Sequence, residues 1–129
     1  MASSPRLGLF LRWSPVVLWM AGLFWGSSLP HRPPTPGMEC FRWDDKLQHA
    51  GAYAILGILA WRALAGRKGL WRAIVAVLIA AVYGIADEAH QGFVPGRECS
   101  LLDWVMDAAG ATIAVALLYR WKGGDCLGE

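Results

Sequence analysis

The stretch LWRAIVAVLIAAVYGIADEAHQ, residues 70–91, decides the fold of this chain because it is long, strongly apolar and then abruptly polar. At about 1.5 Å of rise per residue, roughly 20 helical residues cross the ~30 Å hydrocarbon core of a bilayer. A spanning helix also satisfies its own backbone hydrogen bonds, which favours helix in that setting. The following residues, GIADEAHQGFVPGRECS at 84–100, place carboxylates, a histidine, a glutamine and an arginine at its tip. The stretch therefore predicts a membrane helix with a polar end.

Three further apolar stretches have a similar length, and Pro- or Gly-containing breaks separate them. The chain has 129 residues, of which 56% are hydrophobic and eight are tryptophan, so it is more apolar than a typical soluble domain. We predict an all-α fold, a polytopic membrane four-helix bundle formed by one domain over residues 1–129. Its spans are expected at about residues 7–29, 47–65, 70–91 and 101–121. We therefore expect a multi-pass protein of the cell membrane, with the lipid bilayer as its main partner.

The first apolar stretch is the least regular, because Arg12 lies inside it and Pro15 would start or kink a helix. One interpretation is a retained, tilted span in which Arg12 reaches the membrane surface. The alternative is a cleaved secretory signal, with Arg6 and Arg12 as its positive flank and GSS, residues 26–28, as the cleavage region. We expect retention, because the three tryptophans in this stretch suit an anchor.

The basic residues divide unequally between the two ends of the predicted spans. With a cytoplasmic N-terminus, eight of the 12 Lys and Arg residues lie on the inner side. These are Arg6, Arg12, Arg62, Arg67, Lys68, Arg72, Arg120 and Lys122. Because cytoplasmic loops carry an excess of Lys and Arg, we predict that both termini are cytoplasmic. Eight of the ten acidic residues then fall on the outer side, which is where we expect the functional site.

Polar side chains recur at helical spacing near the outer ends of three spans. Each span carries a set that shares one helix face: Asp45, His49 and Tyr53; Asp87 and Gln91; Asp103 and Asp107. A charged side chain at the bilayer centre costs about 2.5–3.5 kcal/mol on insertion scales, so we expect the three faces to turn inward and converge. The candidate pocket residues are Asp45, Lys46, His49, Tyr53, Asp87, Glu88, His90, Gln91, Arg97, Asp103 and Asp107.

The order of these motifs resembles the VanZ-like family of small membrane proteins, whose namesake is associated with teicoplanin resistance. The family pattern is D-K-x-x-H-x-x-x-Y, then E-x-x-Q with P-x-R, then D-x-x-x-[ND]-x-x-G. This sequence matches it at Asp45, Lys46, His49, Tyr53, Glu88, Gln91, Pro95, Arg97, Asp103, Asp107 and Gly110. The resemblance covers about residues 44–114, and many relatives have Asn where this chain has Asp107. It implies an integral membrane protein of the cell envelope without implying a reaction.

Three hypotheses of function remain open. In the first, Lys46, His49 and Arg97 receive an anionic lipid headgroup or cell-wall precursor, while the carboxylates hold these cations in place. In the second, the protein is an enzyme that uses Glu88 or His49 as an acid or base on a lipid-linked substrate. In the third, the polar residues form a structural network without a ligand. We favour binding, because the sequence shows neither an activated nucleophile nor a complete set of metal ligands.

Several of these residues also have a structural interpretation. Arg97 either contacts an anion or forms a salt bridge with Glu88 or Asp103, because a bidentate guanidinium suits both roles. His49 is either a general base or ligand, or a polar core residue bonded to Asp45 or a facing carboxylate. Asp87, Glu88 and His90 could contribute to a divalent-metal site with Asp103, but no H-E-x-x-H spacing is present. We therefore predict no metal ion and no other cofactor.

Net charge bears on the class of binding partner, and the placement of the cysteines bears on a possible disulfide. A formal charge of +2 without a basic stripe excludes nucleic acid as the expected partner. Cys40 and Cys99 fall on the predicted outer side, where an oxidising compartment would allow a disulfide between them, whereas Cys126 falls in the predicted cytoplasmic tail.

The predicted topology can be tested with reporter fusions. Fusions at the C-terminus and in the AGRKG segment, residues 65–69, should both report the cytoplasm, because basic residues concentrate there. A fusion in the Pro-rich segment at residues 30–40 should report the outer compartment. An external C-terminus would move the whole polar set to the other side of the membrane.

Overall fold

The computed structural model describes residues 5–30 and 43–123, which form four α-helices and no strand. In chain order they are α1 (Pro5–Ser28), α2 (Trp43–Ala63), α3 (Gly69–Gln91) and α4 (Leu101–Gly123). The prediction of an all-helical chain with four helices is confirmed, with ends shifted by a few residues. The largest shift is at α2, which begins at Trp43 rather than near residue 47, because the polar residues before Leu47 form its first turn instead of a loop.

Three of the helices, α1, α3 and α4, are long and apolar enough to cross a membrane. The apolar stretch in α2 is diluted by polar residues such as Gln48 and His49, and α2 is not among the three. Pro15 lies inside α1 without ending it. Large apolar side chains remain on the outside of the bundle, including Leu18, Val82 and Leu117, each more than 60% exposed. A surface of this kind suits contact with lipid.

The helices are arranged around a central pair, α2 and α3. Each of these two contacts the other three helices. Within the described residues, α1 and α4 make no contact with one another, so they lie on opposite sides of the pair. The most extensive interface is between α2 and α4.

Small residues bring α2 and α4 into backbone contact. A Cβ atom added at Gly110 would lie 2.1 Å from the carbonyl oxygen of Ala50, and one at Gly57 would lie 3.2 Å from the Cα atom of Ala111. Small residues at an interface let membrane helices approach closely and gain van der Waals contact. The polar residues on the facing sides of α2 and α4 are thereby brought within reach of each other.

The connection from α3 to α4 is a tight turn that sets how the two helix ends meet. The Arg97 backbone N–H donates to the Val94 carbonyl at 3.1 Å across Pro95 and Gly96. Gly96 has φ of 79°, the left-handed conformation that a type II turn requires at this position and that glycine adopts without strain. Three residues after Arg97, the Ser100 hydroxyl accepts a hydrogen bond from the Asp103 backbone N–H at 3.3 Å and caps α4.

The close approach at Gly110 predicts a large effect of a single methyl group. Gly110→Ala should destabilise the protein by about 1–3 kcal/mol or more, because the new Cβ atom overlaps the backbone of α2. Gly51→Ala is the matched control, since a Cβ at Gly51 would meet no atom within 4 Å and Ala favours helix by about 1 kcal/mol over Gly. Thermal unfolding in detergent should separate the two variants. Equal stability would contradict the tight contact between α2 and α4.

Candidate functional site

Three helices bring a set of polar side chains together at one end of the bundle. We name it the polar cluster, and it comprises Lys46, His49, Tyr53, Asp87, Glu88, Gln91, Asp103 and Asp107. Its four acidic residues are buried, with at most 6% of each whole residue exposed. Eight of the sequence-predicted residues thus lie in one connected site, and the contacts of Asp45, His90 and Arg97 are described separately below.

A hydrogen-bonded pair between α2 and α4 lies at the deep end of the polar cluster. His49 Nδ1 is 2.9 Å from Asp107 Oδ1. The Asp107 side chain is fully buried and that of His49 is 11% exposed. Gly84 leaves room for this pair, since a Cβ there would lie 3.3 Å from Asp107 Oδ2. This pair uses Nδ1 of His49, and the second ring nitrogen, Nε2, takes no part in it.

Asp87 is the best satisfied of the buried carboxylates. Tyr53 donates its hydroxyl hydrogen to Oδ2 at 3.1 Å, and Gln91 donates from Nε2 to the same oxygen at 3.3 Å. The Ser27 hydroxyl of α1 donates to Oδ1. Donors from three helices therefore offset the desolvation of this carboxylate. Its contacts are those of a structural junction between α1, α2 and α3.

Glu88 links the end of α3 to the start of α4. Its Oε2 atom accepts a hydrogen bond from the Ser100 backbone N–H at 2.9 Å. Ser100 in turn caps α4, so Glu88 and Ser100 together do what the two side chains of a capping box do. The other oxygen of Glu88 has no hydrogen-bond partner in the described part of the chain.

An ion pair between Lys46 and Asp103 lies nearer the surface. Lys46 of α2 donates to Asp103 of α4, with side chains 19% and 8% exposed respectively. Asp45, the preceding residue, is exposed and offers an oxygen within 4.8 Å of ligand atoms on His49 and Asp103. The polar cluster therefore opens towards solvent on the side of Asp45 and Lys46.

Arg97 contacts backbone carbonyls of α1 and pairs with none of the carboxylates that the structure describes. It donates from Nε to the Leu29 carbonyl at 2.9 Å and from Nη2 to the Gly26 carbonyl at 3.3 Å. The expectation of a salt bridge to Glu88 or Asp103 is therefore wrong. The physical reason is that α1 ends beside Arg97, and the carbonyls of a helix C-terminus attract a cation.

His90 also contacts α1 rather than the carboxylates. Its ring stacks on that of Phe24 with centroids 4.3 Å apart, and Nε2 is 2.9 Å from the Ser28 hydroxyl oxygen. Of the residues predicted as pocket candidates, His90 and Arg97 thus attach α1 to the bundle.

Sequence reasoning missed the serines that complete these contacts. Ser27 and Ser28 reach Asp87 and His90 across about 60 residues of chain, and no local spacing signals such a contact. Ser100 could have been found, because Ser three residues before an acidic residue at the start of an apolar run is an N-cap pattern. The predicted disulfide stays a prediction: Cys99 is exposed, whereas Cys40 lies outside the described residues.

Within residues 5–30 and 43–123, two buried carboxylate oxygens have no hydrogen-bond partner, Glu88 Oε1 and Asp107 Oδ2. Leaving a buried acceptor unsatisfied costs about 1–3 kcal/mol, and more when the group is charged. Buried acceptors normally have partners. A purely structural role therefore explains Glu88 and Asp107 less well than the other members of the polar cluster.

Comparison with known proteins gives one match. A family model described as VanZ/LLP1 matches residues 13–122, which include all four helices in large part. No curated protein and no solved structure matches the chain.

The pair of Lys46 and Asp103 predicts non-additive mutational effects. Lys46→Met should cost about 3–5 kcal/mol of stability, because it leaves a buried carboxylate without its counter-charge. Adding Asp103→Leu should recover part of that loss, so the double variant should be more stable than the sum of single effects implies. Lys68→Met, at an exposed lysine, is the matched control and should change little. Additive losses in thermal unfolding would show that the two charges are not coupled.

Proposed function

The chain belongs to the VanZ/LLP1 family, and we propose that it is a multi-pass protein of the cell membrane that binds an anionic component of the cell envelope. The ligand is a lipid headgroup or a lipid-linked cell-wall precursor, and it binds at the polar cluster. Both termini are cytoplasmic in this proposal, so the polar cluster lies near the outer surface. Its position at the ends of apolar helices suits a ligand whose tail stays in the bilayer.

The observation that best supports a ligand is the incomplete pairing of the polar cluster. A network with a purely structural role would be expected to satisfy its buried oxygens. Asp87 meets that expectation with three donors, but Glu88 and Asp107 each retain a buried oxygen without a partner. Hydroxyl or amine groups of a ligand would supply the missing donors. This favours binding over a bundle with no ligand.

The charge balance narrows the kind of ligand. The polar cluster contains four buried carboxylates but only one lysine and one histidine. Arg97 does not add to its positive charge, because its guanidinium donates to a carbonyl at the end of α1. An anionic group is therefore best placed beside Lys46 at the more exposed side, away from Glu88 and Asp107. The deep carboxylates suit donors on the same molecule. Lipid headgroups and cell-wall precursors combine a phosphate with hydroxyl or amine groups, which fits both ends of the polar cluster.

A second candidate function is acid–base catalysis on a lipid-linked substrate. The contact of Asp107 with Nδ1 fixes the orientation of the His49 ring, and it leaves Nε2 available to accept or donate a proton. Glu88, whose ligand oxygen lies within 4.8 Å of those of His49 and Asp107, is a second proton carrier. In this alternative His49 is the catalytic base and Asp107 its positioning residue.

Binding can be tested with the purified full-length protein in detergent by native mass spectrometry. We expect phosphatidylglycerol and a polyprenyl-diphosphate-linked sugar to be bound in preference to phosphatidylcholine, which has no net charge. Lys46→Met should weaken this binding about tenfold, equivalent to ~1.4 kcal/mol, whereas Lys46→Arg and Lys68→Met should retain it. Equal retention of the neutral and anionic lipids, or no effect of Lys46→Met in folded protein, would contradict the proposal.

The same samples separate binding from catalysis. If the second candidate is correct, the bound lipid is converted to a product of different mass, and His49→Gln stops conversion while binding persists. The family resemblance adds a cellular measurement: teicoplanin tolerance of a host that expresses the chain should fall with Lys46→Met and remain with Lys68→Met. Unchanged tolerance in both variants would show that the lipid-binding site does not contribute to glycopeptide tolerance. The binding result would stand by itself.

A further inference from the structure

We propose that His49, Glu88 and Asp107 form a binding site for one divalent transition-metal cation, such as Zn²⁺ or Mn²⁺, at the deep end of the polar cluster. This site was not predicted from the sequence, where the acidic residues near His90 were considered instead. His90 lies beside Phe24 and Ser28, and the three proposed ligands come from three different helices.

The distances between the donor atoms fit a single ion. One ligand atom from each of the three residues lies within 4.8 Å of the other two. Metal–ligand bonds of about 2.0–2.4 Å place opposite ligands roughly 4–4.8 Å apart, and adjacent ligands of an octahedral ion about 3 Å apart. His49 Nδ1 and Asp107 Oδ1 are separated by 2.9 Å. This is a hydrogen-bond distance that is also close to the spacing of adjacent ligands, so a bound ion would replace the proton between the two atoms.

The unsatisfied oxygens point independently to a missing positive group. Glu88 and Asp107 are 4% and 0% exposed, and each has one oxygen without a hydrogen-bond partner. Buried charges are normally paired or coordinate a metal. The nearby lysine cannot fill this role, because Lys46 is paired with Asp103. A cation between Glu88 and Asp107 would compensate both carboxylates at once.

The donor set indicates the class of ion. One imidazole and two carboxylates suit Zn²⁺, Mn²⁺ or Fe²⁺ better than Ca²⁺, which prefers six to eight oxygen ligands. A second triplet, Asp45, His49 and Asp103, has similar spacing. It is the weaker candidate, because Asp103 already has a counter-charge and Asp45 is exposed. In the deep triplet both carboxylates are buried and each keeps an oxygen without a hydrogen-bond partner among the described residues, although Asp107 also contacts His49.

The cation site stands on these three side chains and does not require the proposed ligand. One consequence does rest on the proposed function. A divalent cation would take the place of the ligand's donor groups at Glu88 and Asp107, and it would reduce the excess of negative charge that an anionic headgroup meets beside Lys46.

The experiment uses the full-length protein in detergent, treated with chelator, dialysed against Zn²⁺, Mn²⁺, Mg²⁺ or Ca²⁺, and analysed for metal content and thermal unfolding. We expect one Zn²⁺ or Mn²⁺ per chain, saturable binding and a raised unfolding temperature. His49→Gln, Glu88→Gln and Asp107→Asn should each weaken binding about tenfold or more. His90→Gln is the matched histidine control, and Asp103→Asn tests the shallower triplet; both should retain the ion.

Three outcomes would overturn the proposal: no saturable binding to the wild-type chain, unchanged affinity in His49→Gln, or loss of the ion in Asp103→Asn but not in Glu88→Gln. If a ligand variant does not fold, the visible spectrum of the Co²⁺-loaded wild type decides, since nitrogen and oxygen ligation by the protein differs from the aquo ion. Lipid binding is measured separately, so a metal-free protein that still binds phosphatidylglycerol would refute the cation site alone.

Discussion

The burial of charge is the constraint on which this bundle depends. Asp87, Glu88, Asp103 and Asp107 are almost inaccessible, yet three of the four helices present enough apolar surface to cross a membrane. A carboxylate turned towards hydrocarbon would cost several kcal/mol, so each must face the interior and find a partner there. That requirement fixes how α2, α3 and α4 are rotated about their axes. The close contact at Gly110 then sets the distance across which His49 and Asp107 meet.

Polar contacts also determine where α1 lies. In lipid, apolar side chains alone give little preference for one helix partner over another. Trp19 Nε1 donates to the Ala52 carbonyl at 2.9 Å, and Tyr83 donates its hydroxyl hydrogen to the Met20 carbonyl at 2.6 Å. At the end of α1, Arg97 and Ser27 extend the same pattern. A helix that looks like a simple anchor in sequence is thus held in register by hydrogen bonds to α2, α3 and the α3–α4 turn.

The acidic residues of the polar cluster have different roles, because their contacts differ. Asp87 is saturated with donors and joins helices, Asp103 is neutralised by Lys46, and Asp107 positions His49. Glu88 holds the start of α4 through one oxygen and leaves the other available. The excess of negative charge limits direct binding of an anion to the side of Lys46. The same excess makes the deep end of the polar cluster, at Glu88 and Asp107, suited to hydrogen-bond donors or to a cation.

The sequence by itself determined the helices, their approximate ends and most of the polar cluster. Apolar length specifies a spanning helix, and the i, i+4 spacing of Asp45 and His49 or of Asp103 and Asp107 specifies which face must turn inward. Only the tertiary structure decided the partners, because a partner depends on how helices distant in sequence pack together. Their positions in the sequence placed Arg97 and His90 near the carboxylates. In the structure, both side chains instead form hydrogen bonds with the end of α1. Likewise, nothing in the sequence distinguishes the saturated Asp87 from the unsatisfied Glu88 one residue later; their positions relative to α1 and α4 do.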